Sequence, residues 1–239
     1  MSILDAQVFN LVDWEMVHKT LQGVPKLFKQ WACKQVMEIA GTMEWDKAER
    51  KKCPSCMQAR DTCVHVLFCN HAGRVKTLEH TIGLIEEWLC KGDTNPDLLD
   101  CIAEYAYGRG GRTMVEICHG LGDHFQKVAR DQDTIGWRRL MEGMICKRMR
   151  EIQSLYHFRE GTLLSPKQWA QGLILKLLKA THGQWIYRNI QIHDLVVGTQ
   201  ATLWKEAMQQ EIEGQMELGT AGLLEEDHWM MEVNLGDME

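Results

Sequence analysis

A dense run of cysteine and histidine residues constrains this 239-residue chain more than any other feature. Cys53 and Cys56 are separated by two residues, and His65 and Cys69 follow with three residues between them. A C-x2-C turn directs both sulfurs at one metal ion, and a second pair on a hairpin or helical turn completes a tetrahedron. The spacing predicts a structural zinc site, with Zn²⁺ as the cofactor and Cys53, Cys56, His65 and Cys69 as ligands.

The sequence does not fix the ligand set, because two neighbouring residues, Cys63 and His71, are spares that can each replace a preferred ligand. The alternative for the whole segment is a group of reduced cysteines packed as small apolar residues. Four protein ligands would leave no open coordination position, and Asp61 is the one carboxylate beside them, so we expect a structural and not a catalytic site. The C-x2-C-x8-H-x3-C spacing also differs from that of gag-type nucleic-acid knuckles.

The rest of the chain has the periodicity of helices. From residue 75 to 89, apolar residues recur at steps of three and four, and four prolines in the whole chain permit long helices. The sequence therefore predicts a mainly α fold with a small zinc-stapled loop or hairpin in its N-terminal half. Residues 64–68 are the best candidate for a short strand.

Helix start signals and one glycine-rich break divide the chain further. Asp13 and the Ser165-Pro166 pair are typical N-terminal caps, and Asp133-Thr134 predicts the start of one long helix through residue 155. The break at 108–111 suggests an N-terminal helical region, 1–107, that contains the zinc segment, 53–71. A C-terminal helical domain, 113–218, and a flexible acidic tail, 219–239, would follow.

Charge and cysteine usage limit the compartment. The formal net charge is −6, but residues 205–239 contribute −9 of it, so the remaining chain is mildly basic at +3. Nine cysteines without a secretory signal favour a reducing, intracellular compartment, either cytoplasm or nucleus. The absence of a long apolar run predicts no membrane association, and no small-molecule substrate is evident.

Basic residues surround the zinc segment and suggest a partner. Non-specific contact with RNA or DNA phosphates is one hypothesis, and ordinary solvated lysines and arginines are the equally weighted alternative. A helical protein–protein interaction module with a purely structural zinc is the competing function. No polymerase, ribonuclease H or integrase motif is visible, so we do not expect an enzyme. The candidate nucleic-acid residues are Lys51, Lys52, Arg60, Arg74 and Lys76.

Several ordered sequence pieces resemble retrotransposon-derived open reading frames of the diatom and algal type. The segments CPSC and HVLFC are similar to the zinc-binding region that follows the reverse transcriptase domain in such elements. This resemblance implies a non-catalytic accessory module that acts with nucleic acid or with other retroelement proteins. Its other pieces are Asp13-Trp14, Val24-Pro25, Phe28, 31–34, Gly41-Thr42, Trp88-Leu89, 94–98, Gly136-Trp137, Gln153, Tyr156, Trp169, 185–189 and His193.

Overall fold

The computed structural model describes the backbone of residues 5–40 and 52–217, and the side chains as far as residue 192. Internal contacts divide the chain into two compact units, Met1–Ile190 and Gln191–Glu239. The predicted seam at 108–111 lies inside the first unit. The described part of the second unit, 191–217, is helical, and the predicted acidic tail, 219–239, lies outside the described residues.

The mainly α fold predicted from the sequence is confirmed. The described residues form no β-strand, and two isolated bridges pair Val12 with Cys146 and Lys52 with Arg60. The helices of the described residues are, in order, Ala6–Leu11 (α1), Trp14–Gln22 (α2), Lys26–Val36 (α3), Cys63–Phe68 (α4), Ala72–Lys91 (α5), Pro96–Tyr107 (α6), Met114–Ile117 (α7), Asp123–Ile135 (α8), Trp137–Met141 (α9), Lys147–Glu160 (α10) and Pro166–Glu217 (α11).

Two predicted helix starts are confirmed by their capping contacts. The Asp13 carboxylate accepts a hydrogen bond from the backbone amide of Met16 at 3.4 Å at the start of α2. At the start of α11, the Ser165 backbone amide and hydroxyl both donate to the Gln168 side chain. These caps satisfy backbone donors that have no partner inside the helix.

The predicted strand at 64–68 is wrong, because these residues belong to helix α4. The Thr62 hydroxyl accepts a hydrogen bond from the His65 amide at 3.0 Å and so caps the N-terminus of that helix. The apolar run was too short for periodicity to separate a strand from a helix.

The single long helix predicted from Asp133 to residue 155 is also wrong. Asp133 lies within α8, and its carboxylate accepts hydrogen bonds from the amides of Met114 and Val115 at the start of α7. The chain breaks again between α9 and α10 at Gly143, which has a φ of +82°. A Cβ atom there would also approach Ile174 to 3.1 Å, so both backbone conformation and space require glycine.

The first unit has one main hydrophobic core, to which the beginning of α11 contributes heavily. Trp169, Leu173 and Leu177 are each 0% exposed, and the Trp169 indole donates to the Thr94 hydroxyl at 2.8 Å. This core and the α5–α6 packing support the segment that carries the candidate site. Among the described residues, no helix is both long enough and apolar enough to cross a membrane.

Candidate metal centre

The structure brings the four predicted ligands together. The donor atoms of Cys53, Cys56, His65 and Cys69 all lie within 4.8 Å of one another, so this group could hold a metal ion. The Cys53 and Cys69 sulfurs are 3.8 Å apart, and the Cys56 sulfur is 3.4 Å from His65 Nε2. Cys53 and Cys69 are buried, whereas Cys56 and His65 are half-buried at the rim.

A tight loop presents the first two cysteines. The Lys52–Arg60 bridge closes it, and the Cys53 amide donates to the Ala59 carbonyl at 2.8 Å. Inside the loop, the Met57 amide donates to the Cys53 carbonyl at 2.8 Å, and Met57 takes a φ of 55°. The chain thereby turns back on itself, which allows the two sulfurs of a C-x2-C pair to face one point.

Helix α4 presents the other two ligands. His65 lies on the helix, and Cys69 follows immediately after its last residue as the C-cap. The two spares are not part of the group. The Cys63 thiol faces the other way and contacts the Ala40 carbonyl at 3.6 Å, and His71 is the N-cap residue of α5, with its ring near Tyr187.

The surroundings act differently on the four donors. Burial raises the pKa of the Cys56 thiol, but hydrogen bonds from the Ala59 and Gln58 backbone outweigh it, and the net pKa is lowered. Burial and nearby Cys53 raise the pKa of Cys69 to about 11. Burial lowers the pKa of His65, which favours the neutral imidazole that metal ligation requires.

The glycine-rich segment at 108–111, interpreted from the sequence as a break, supports the centre. The Arg109 guanidinium donates to the carbonyls of Leu67 and Cys69, at 3.1 and 3.2 Å, and so holds the end of α4. Gly110, with a φ of +76°, lies against Trp137 and Phe68. Arg109 was not predicted from the sequence, and only the unusual run of glycines around an arginine could have indicated it.

A buried ion pair ties the loop to the first unit's part of α11. Arg188 is 4% exposed and Asp61 is 0% exposed, and the guanidinium contacts both carboxylate oxygens. Asp61 is the carboxylate that stood nearest the ligands in the sequence, and its partner is 127 residues away. Asp61 is therefore engaged in a structural ion pair.

Of the predicted nucleic-acid residues, three are exposed: Lys52, Arg60 and Lys76. Arg74 is only 1% exposed, and its guanidinium donates to the carbonyls of Val66 and Gln184, so its prediction as a phosphate contact is wrong. It follows the ligands closely in sequence but points into the interior from the first turn of α5. Lys51 lies outside the described residues.

Comparison with known proteins gives no relative for this arrangement: no family model, no curated protein and no solved structure matches the chain.

Proposed function

We propose that this chain is a non-catalytic helical interaction module whose loop at 52–60 is fixed to helix α4 by a structural zinc ion. The convergence of Cys53, Cys56, His65 and Cys69 within 4.8 Å carries this proposal. A tetrahedral zinc ion with Zn–S bonds of about 2.3 Å separates two sulfurs by about 3.8 Å and a sulfur from a nitrogen by about 3.6 Å. The observed 3.8 and 3.4 Å fit these values.

A structural role agrees with the number and surroundings of the ligands. Four protein donors fill a tetrahedral zinc ion, whereas a catalytic zinc ion keeps one position for water or substrate. A general base would also be needed, and Asp61 is engaged by Arg188. Zinc in such a site contributes its binding free energy to folding.

Metal analysis tests the site directly. We expect one zinc ion per purified chain, and intense cobalt–thiolate absorption bands when Co²⁺ replaces it. Cys56→Ser should remove the metal, whereas the control Cys33→Ser should keep it, because Cys33 is exposed on α3 and outside the group. A metal-free wild-type chain, or equal metal in both variants, contradicts the proposal.

RNA or DNA is the first candidate partner. Lys52, Arg60 and Lys76 remain exposed near the centre, and such side chains contact phosphates without reading bases. Binding to generic RNA and DNA should weaken as salt rises. The double variant Lys52→Glu/Lys76→Glu should reduce the slope of the logarithm of the binding constant against the logarithm of salt concentration by about two. The exposed Lys91→Glu, at the other end of α5, should leave it unchanged. Absence of binding at low salt excludes this candidate.

A protein partner is the second candidate, and exposed apolar side chains favour it. Leu155 and Phe158 on α10 are 58% and 89% exposed, beside a groove of about 510 Å³ that Phe125 and Ile152 also line. Exposed apolar patches of this kind mark interaction sites. Phe158→Ser should abolish capture of a specific protein partner, and Leu27→Ser, on α3, should preserve it. Equal capture by the two variants excludes the groove.

We also propose a retroelement origin, which rests on the ordered sequence pieces and not on the geometry. If it holds, a reverse transcriptase coding frame lies directly upstream of this chain in its genome. An unrelated upstream gene in every genomic copy contradicts this origin and leaves the zinc proposal intact.

A further inference from the structure

Arg74 is a buried cation without a buried anion of its own. Its side chain is on α5, it is 1% exposed, and it makes no salt bridge to a carboxylate of the described residues. A buried guanidinium keeps its charge at any pH that a protein meets. An uncompensated buried charge is costly, so a compensating negative charge is expected nearby.

The hydrogen-bond partners of Arg74 are all neutral. Its Nη2 donates to the carbonyls of Val66 and Gln184, and its Nε donates to the Gln184 side chain at 3.3 Å. Nη1 is buried and has no hydrogen-bond partner among the described residues. These contacts fix the guanidinium beside α4, one residue beyond His65, but they do not neutralise it.

Asp61 cannot serve as the missing anion, because Arg188 already neutralises it. The remaining negative charge can come from the ligand thiolates. The guanidinium Nη2 donates to the carbonyl of Val66, which lies between the ligands His65 and Cys69 in the chain. Burial lowers the pKa of Arg74, and nearby Cys69 and Cys53 raise it. The cation is therefore placed where ionised Cys69 and Cys53 would stabilise it.

We infer that Arg74 is the counterion of the metal centre, neutralising the excess negative charge of a divalent cation bound by three thiolates and one neutral imidazole. This inference rests on the proposed zinc site. Three thiolates exceed the charge of a divalent ion by one, and one guanidinium balances it. With Arg74 counted, a monovalent ion would leave one net negative charge and a trivalent ion one net positive charge, so the arrangement matches the charge of a divalent ion.

Removing the charge of Arg74 tests the inference. The variant Arg74→Met keeps an unbranched apolar stem, and Zn²⁺ affinity is measured by competition with a chromogenic chelator. We expect an affinity loss of about 10- to 100-fold, the usual effect of changing a group next to the ligands. Gln184→Met is the matched control, because it removes hydrogen bonds to Arg74 but no charge, and we expect a smaller loss.

A second background separates charge from packing. Cys56→His replaces one thiolate at the half-buried rim and makes the bound centre neutral. In that background Arg74→Met should change Zn²⁺ affinity by less than about 3-fold, since no excess negative charge remains to balance. An equal loss in both backgrounds overturns the counterion role and assigns Arg74 to packing alone.

Arg74→Lys covers the case in which Arg74→Met does not fold. Lysine keeps the charge but loses the guanidinium fork, so folding and stoichiometric Zn²⁺ binding by Arg74→Lys alone support the counterion role. Loss of Zn²⁺ binding in Arg74→Lys to the extent seen in Arg74→Met overturns it. A wild-type chain that binds no Zn²⁺ refutes the proposed zinc site itself, whereas a zinc-binding wild type with an unaffected Arg74→Met refutes only the counterion.

Discussion

Two regions of this molecule bring thiols together, and they differ in the other donor groups and charges near the sulfur atoms. In the candidate metal centre, the Cys53 and Cys69 sulfurs are 3.8 Å apart, with Cys56 and His65 close by. In the core, the sulfurs of Cys101 on α6 and Cys118 after α7 are 2.9 Å apart. Both core thiols are buried among hydrophobic residues, at 3% and 0% exposed.

The electrostatic surroundings separate the two regions. Around the core pair, the contact with Cys118, burial and the carboxylates of Asp97 and Asp100 all raise the pKa of Cys101, while the contact with Cys101 lowers the pKa of Cys118. The candidate metal centre, unlike the core pair, has backbone amides that donate to Cys56 and the buried guanidinium of Arg74 nearby. Close sulfur atoms are therefore not enough for a metal site, which also needs further donors and positive charge to hold thiolates.

Removing the metal should change the free energy of unfolding more than any other test that separates the two regions. Chelation of wild-type protein should lower the free energy of unfolding by more than about 4 kcal/mol, because the loop at 52–60 loses its link to α4. Urea denaturation with and without chelator measures this. Cys101→Ala should show the same chelator effect, and Cys53→Ser should show none. A chelator effect that persists in Cys53→Ser would place the metal elsewhere.

Loss of Arg109 should have the next largest effect. Arg109→Met removes two hydrogen bonds to the end of α4 and leaves the Leu67 and Cys69 carbonyls without this donor, at a cost of about 1–3 kcal/mol. Zinc affinity should fall with it, because the Cys69 backbone is released. Arg112→Met is the control: Arg112 makes an exposed ion pair with Glu104, worth about 0–1 kcal/mol. Equal destabilisation in the two variants contradicts a specific role for Arg109.

The sequence could predict the ligands and not their supports, for a physical reason. Metal geometry imposes short spacings on Cys53, Cys56, His65 and Cys69, so the ligand pattern is local and visible. Arg109 and Arg188 act across 40 and 127 residues, and the residues next to them in sequence do not identify those partners. Arg74 was assigned to the surface because charged residues are usually exposed.

The same difference between local signals and long-range contacts explains which features of the fold could be predicted. Caps such as Asp13 and the Ser165-Pro166 pair are local signals, and the structure confirms them. At Gly143, Ile174 and Leu178 on another helix leave no room for a Cβ atom. Periodicity alone could not show this crowding, and the sequence therefore predicted one helix where the structure has parts of α8, α9 and α10.

Truncating the core pair should have a smaller effect. Cys101→Ala removes one buried sulfur and leaves a small cavity, so the free energy of unfolding should fall by about 1 kcal/mol. Metal content should not change, because Cys101 lies outside the group. Cys90→Ala, at an exposed position, should cost almost nothing. Loss of zinc in Cys101→Ala would mean that the two thiol regions are coupled.

The smallest effect is a change in thiol reactivity without a change in fold, measured with limiting iodoacetamide and peptide mass spectrometry. In protein stripped of metal, Cys56 should be alkylated before Cys101 and Cys118, because Cys56 is half-exposed and both core thiols are buried. Zinc should then protect Cys56 and leave the slow labelling of the core pair unchanged. Zinc protection of Cys101 would contradict the separation of the regions. Equal labelling of Cys56 with and without zinc would show that its sulfur is not a ligand, since a metal-bound thiolate is a poor nucleophile.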